Sequence, residues 1–163
     1  MALQYRDRIV SFLPELRRFA GALIAPGCPH SSGGIDDLVV RAAAFVCRET
    51  PSHEKPASET ALRLALYAAV LRLAQSRDYR PSLPLSPPPS PGSFADGLLS
   101  LQMQHRAALL LVTLERLSYK EAATVIGVSR TFLAAKVSTA RQMLARRMEG
   151  SGDRRAAHLK VVK

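Results

Sequence analysis

Apolar residues recur along most of the chain at the three- and four-residue spacing of one helical face, and glycine, proline and serine take over where that spacing lapses. Between Tyr5 and Leu23 the apolar positions are Ile9, Phe12, Leu13, Leu16, Phe19, Ala20 and Leu23, with arginines on the opposite side. Pro14 is best tolerated near a helix start, so this helix is expected to begin around Leu13 rather than Tyr5. Pro26 to Gly34 reads as a loop. Ile35, Leu38, Val39, Ala42, Ala43 and Val46 then restore the helical period, with Asp36 and Asp37 placed to complement the helix dipole. After a second loop over Thr50 to Ser58, the stretch Glu59 to Arg77 predicts a third helix with Leu62, Leu66, Ala69, Val70 and Leu73 on one face.

The sharpest punctuation is Tyr79 to Ser93, where Pro81, Pro84, Pro87, Pro88, Pro89 and Pro91 exclude a helix interior and suit a semi-extended linker. It divides the chain into a helical module over 1–78, a Pro/Ser-rich linker over 79–97, a second helical module over 98–149 and a basic tail over 150–163, expected to be disordered. In the second module Leu98 to Leu114 predicts one apolar helix, with Leu101, Ala108, Leu111, Val112 and Leu114 buried. Two more helices follow a break at Ser118, separated by Gly127, Val128 and Ser129. No segment alternates apolar and polar residues in the manner of a strand, so the expected fold class is all-α: two small modules and a C-terminal helix-turn-helix.

Charge changes this picture because it is uneven. Residues 1–78 hold ten Lys/Arg against eight Asp/Glu, a balance of +2, whereas residues 79–163 hold thirteen against five, a balance of +8. Nine of those basic residues stand from Arg130 onward, facing only Glu149 and Asp153. Such a single-sign concentration attracts a polyanion through counterion release; its plainer alternative is a solubilising tail.

The remaining composition excludes more than it suggests. No run approaches the roughly 18 apolar residues of a membrane helix, and charges interrupt any secretory pattern at the N-terminus, so a soluble, cytoplasmic protein is expected. Cys28 and Cys47 make no disulfide framework or Cys-x-x-Cys pair, and His30, His53, His105 and His158 lie too far apart in sequence to suggest a metal site. No catalytic triad order, phosphate-binding glycine loop or converging carboxylate pair appears, and Asp36 and Asp37, adjacent on a helix, diverge by about 100°. The chain is therefore read as a binding protein without enzymatic activity, cofactor or metal.

The most specific segment is Ser118 to Val137. Ser118 and Glu121 have capping-box spacing, and Ala122 and Ala123 are small where a second helix must cross closely. Gly127 falls where a tight turn needs positive φ, and Ser129 is placed to cap the following helix. Val125, Ile126, Val128, Leu133 and Val137 supply a shared core. This is the grammar of a helix-turn-helix, although an ordinary helical hairpin uses the same signals. If it enters a major groove, Arg130, Thr131, Ala134 and Ala135 face the bases, with Arg130 able to bind guanine, while Ser129, Lys136 and Arg141 hold phosphates.

Leu101 to Arg147, including Gln104–Val112, Leu117–Ala123, Ile126–Val128 and Val137–Arg141, resembles the C-terminal domain of extracytoplasmic-function sigma factors, members of the sigma-70 family of bacterial RNA polymerase. Leu13–Ala20 and Ile35–Val39 resemble helices of that family's other domain. The resemblance implies promoter-specific transcription initiation. The second helix of the motif would bind promoter DNA, and Asp36, Asp37, Leu38 and Arg41 would contact core RNA polymerase. It also implies a chain that is monomeric when free and in some cases held by an anti-sigma factor. The departures from the family are specific. Val40, Arg41 and Ala42 replace a polar run, Leu62 to Ala74 holds neither Trp nor Asn, and Phe132 and Ala134 stand where Thr and a basic residue are usual. They sharpen a second reading, a sigma-like decoy that sequesters an anti-sigma factor as in alphaproteobacterial general-stress regulators. A helix-turn-helix repressor is a third.

Overall fold

The computed structural model describes residues 2–24, 32–49, 58–76 and 89–158, with side chains described over 7–24, 34–49, 58–76 and 89–149. Within them the chain is all-helical, as expected: α1 (Ala2–Ile24), α2 (Ser32–Glu49), α3 (Glu59–Gln75), α4 (Phe94–Ser100), α5 (Met103–Thr113), α6 (Tyr119–Ile126) and α7 (Arg130–His158), with no strand among the described residues. None of these helices is long and apolar enough to cross a membrane.

Three boundaries differ from the sequence reading. The first helix does not wait for Leu13 but runs from Ala2 with Pro14 inside it. Pro14 removes the bond to the Val10 carbonyl, yet both residues are exposed, so water can satisfy that carbonyl. The apolar stretch after Leu98 is two helices, because Ser93 caps an early start at Phe94 and Leu101 and Gln102 turn extended. Four residues assigned to the linker, 94–97, thus belong to α4, while 77–88 lie outside the described residues. The helix α7 continues past Gly150 to His158, into the segment expected to be disordered.

In the first module α1, α2 and α3 pack against one another around Phe12, Leu16, Phe19, Leu23, Leu38, Val39, Leu62, Leu66 and Val70. The Phe19 and Tyr67 rings meet edge to face, 5.2 Å apart at 89°. In the second, α5 is crossed by α6 and α7, burying Ala107, Ala108, Leu111, Ala122, Ala123, Leu133, Val137 and Ala140. The short α4 lies on α7, where a Cβ on Gly97 would stand 2.5 Å from Leu144 Cδ1, so a side chain there would require the end of Leu144 to shift. The two modules are joined in space as well: α1 packs on α5 and α3 on α6, making one continuous core.

Candidate functional site

The α6–turn–α7 unit forms as its sequence dictates. The Ser118 backbone N–H donates to Glu121 Oε2 at 2.8 Å, and the Glu121 N–H donates back to Ser118 Oγ at 3.2 Å. The Ser118 hydroxyl, followed by its backbone N–H, holds the Glu121 carboxyl below the usual carboxylate range. Gly127 ends α6 in the left-handed region, φ 77° and ψ 36°, and its N–H donates to the Ala123 carbonyl. Ser129 Oγ then accepts from the Phe132 N–H and so caps the start of α7.

Of the residues expected to face DNA, Ser129, Arg130, Thr131, Ala134, Ala135 and Arg141 are exposed. Lys136 is half-buried. Its ammonium donates to Gln104 Oε1 at 3.0 Å and sits 4.7 Å from the centre of the Phe132 ring, whose own exposure is 53%. The residues expected to touch polymerase separate. Asp36 pairs with Arg17 at 2.7 Å and Asp37 with Arg41 at 3.7 Å, all on the surface. Leu38 is fully buried in the core of the first module, so its side chain presents nothing to a partner in this arrangement. Its spacing of three and four residues from Ile35 and Ala42, both buried, is the signature of an inward-facing helix position. Among the described residues no three His, Cys, Asp or Glu side chains converge as a metal site would require.

The most concentrated chemistry lies where the modules meet, at residues the sequence analysis did not select. Glu115, its side chain wholly buried, accepts from Arg18 at both oxygens, at 3.1 and 2.8 Å, and from the Tyr67 hydroxyl at 2.6 Å. Arg63 donates to the Glu115 carbonyl and to Glu15, and Tyr67 also reaches Glu15. Every donor comes from α1 or α3, and so does the second acceptor, Glu15, whereas Glu115 follows α5. Burial, reinforced by Glu115, pushes the Tyr67 hydroxyl far up and keeps it a donor, and the hydrogen bond to Glu115 raises Arg18. Arg116, next in the chain, holds a left-handed φ of 54°, part of the turn that aims Glu115 inward.

A second tie crosses the same junction. Arg106, buried in α5, donates to the carbonyls of Leu23, Leu99 and Leu101 at 2.6, 2.9 and 3.0 Å. These are carbonyls left open at the ends of α1 and α4, where a cation also complements the helix dipole. Burial pulls the Arg106 pKa below the ordinary arginine value. The available signals were a lone arginine inside the apolar run of α5 and a carboxylate immediately after it.

No protein-family model and no curated protein sequence matches the chain. Among solved structures, the sigma factor RpoE in complex with the anti-sigma factor NepR from Bartonella quintana shares the arrangement at a TM-score of 0.64 and 21% identity, over 90% of this chain and 97% of the other. The anti-anti-sigma factor PhyR complexed with NepR, from the same organism, matches at a TM-score of 0.61 and 19% identity, over 87% of this chain. The match spans about half of PhyR, 49% of its chain.

These findings overturn the expectation of an extracytoplasmic-function sigma factor of the sigma-70 family, and with it promoter-directed initiation as the chain's function. No model of that family matches, and at such identities the structures carry the fold alone, a fold shared equally with an anti-anti-sigma factor. The physical reason the sequence misled is that capping box, turn glycine and shared core specify how α6 packs on α7, not what the exposed face of α7 touches.

Proposed function

We propose that this chain is a sigma-like regulator that captures an anti-sigma factor of the NepR type and so releases the sigma factor held by it. It acts by binding, without chemistry of its own. The observation that supports this reading is that one helical arrangement, covering 87–90% of the chain, recurs in a sigma factor and in an anti-anti-sigma factor, each in complex with NepR. A competitor needs the surface that the anti-sigma factor grips but has no need to read bases. The centre of the exposed face of α7 accordingly offers Ala134 and Ala135, which carry no group that can hydrogen-bond to a base edge. Capture then acts by mass action: whatever removes free anti-sigma factor shifts the sigma factor towards its free form.

The test is displacement. The chain is titrated into a preformed complex of the host's sigma factor and its NepR-type anti-sigma factor, and free sigma factor is followed by size-exclusion chromatography. Stoichiometric release is expected. No release, or transcription initiated by the chain itself on core polymerase, would overturn the proposal.

A further inference from the structure

The exposed side of α7 is basic but not uniformly polar. From Arg130 to Met148 it carries Arg130, Lys136, Arg141, Arg146 and Arg147 and no acidic residue, yet Phe132 and Met143 stand 53% and 41% exposed. Phe132, Thr139 and Met143 are spaced seven and four residues apart. On an α-helix that places them within an arc of about 40° over a length of about 16 Å. Lys136 and Arg146 lie about 40° to either side. The buried residues Leu133, Val137 and Ala140 face the module core, so this line is a second, separate seam. Spacing of seven and four is the register at which one helix receives another.

We infer that this seam is the docking site for an amphipathic helix of a protein partner, with apolar residues opposite Phe132 and Met143 and carboxylates opposite Lys136 and Arg146. The inference rests on the proposed function and names the chemistry of the captured partner. A phosphate backbone offers nothing to dehydrate a phenyl ring and a thioether in the middle of the contact, whereas an apolar helical stripe does. The cations fix which helix docks: one with acidic flanks is attracted, and one with basic flanks is repelled. Lys136 is held in place for this by Gln104 and by the Phe132 ring, so it loses little side-chain freedom on binding.

The full chain and two double variants, Phe132→Ala/Met143→Ala and Lys136→Glu/Arg146→Glu, are titrated calorimetrically with the host's NepR-type anti-sigma factor, and separately with a labelled DNA duplex. All four side chains lie at least partly at the surface, so unchanged melting temperatures are expected to confirm folding. The apolar variant is expected to weaken the protein complex by about tenfold or more. The charge-reversed variant is expected to weaken it by a similar factor and to lose most of its dependence on salt. Unchanged affinity in the apolar variant would overturn the seam while leaving the proposed function standing. No binding by the unaltered chain would overturn both. Duplex binding by the unaltered chain, lost in the apolar variant, would make the seam a nucleic-acid surface and overturn the inference.

Discussion

Replacing Glu115 by glutamine keeps the shape of the buried side chain and removes its charge. At best the amide oxygen takes the place of Oε2, accepting from Arg18 Nη2 and the Tyr67 hydroxyl, and the amide NH2 is then set against Arg18 Nε, donor against donor. Hydrogen bonds to a charged partner contribute about 1.5–3 kcal/mol each. Tyr67 retains Glu15 as an acceptor at 3.2 Å, and Arg18, 51% exposed, can turn to water, so the full penalty for stranding a buried charge does not apply. The expected loss is about 2 kcal/mol for Glu115→Gln and roughly 3 kcal/mol for Glu115→Ala, at the low end for breaking a buried pair. For a chain of this size that lowers the melting temperature of Glu115→Gln by roughly 4–8 °C. Urea unfolding at neutral pH with a double-mutant cycle against Arg18→Ala measures it, and small-angle scattering should report looser packing of the modules before global unfolding. A loss below about 0.5 kcal/mol, the range of an ordinary surface pair, would refute the view that this carboxylate holds the modules together.

Arg106→Met keeps the apolar stem and strands the buried carbonyls of Leu23 and Leu101, while the part-buried carbonyl of Leu99 can turn to water; a loss of about 3 kcal/mol is expected, with faster hydrogen exchange at the end of α1 and through α4. Gly127→Ala meets no atom within 4 Å, so only the left-handed backbone opposes it, and thermal unfolding should show a loss of about 1 kcal/mol with an unchanged fold. Ser118→Ala removes the cap of α6 and should lose about 1 kcal/mol at neutral pH. Because the folded Glu121 pKa is depressed, its stabilisation is present above the unfolded value, about 4.3, and disappears as pH falls through the lower folded value. In acid titration the difference between the unaltered chain and the variant should therefore narrow in that window without vanishing, because the bond from the Glu121 N–H to Ser118 Oγ does not titrate whereas that from the Ser118 hydroxyl to the Glu121 carboxylate weakens; a difference unchanged across the window would contradict it.

Helical periodicity in the sequence located every long helix, and the buried faces of α1 and α3 follow it from Ile9 to Leu23 and from Leu62 to Val70, except that Leu13 is only half-buried and that Tyr67, outside the expected apolar face of α3, is fully buried. Local signals, Ser118 with Glu121 and Gly127, specified the α6–α7 turn because each acts within four residues of itself. What escaped were boundaries decided by tertiary neighbours. The split between α4 and α5 exposes the carbonyls of Leu99 and Leu101, and it is acceptable because Arg106 donates to both. The Glu115 cluster escaped for the same reason. Arg18 and Arg63 occupy helix positions that look solvent-facing, and only the docking of the second module gives them a partner. Likewise Phe132 reads as a core residue by type, and its exposure depends on which side of α7 the module core takes up.

The Glu115 cluster also fixes an order of events during synthesis. Its partners Arg18 and Tyr67 lie 97 and 48 residues upstream. At about 5–20 residues per second, the ribosome finishes α1 roughly 5–20 s, and Tyr67 some 2–10 s, before the carboxylate exists. Through that interval Arg18 has no part of its carboxylate partner, and Tyr67 and Arg63 have only Glu15 as a side-chain acceptor. Water solvates those polar groups meanwhile, but the half-made chain also leaves uncovered, on its future internal face, the apolar side chains of α1 and α3 that later pack on α5 and α6.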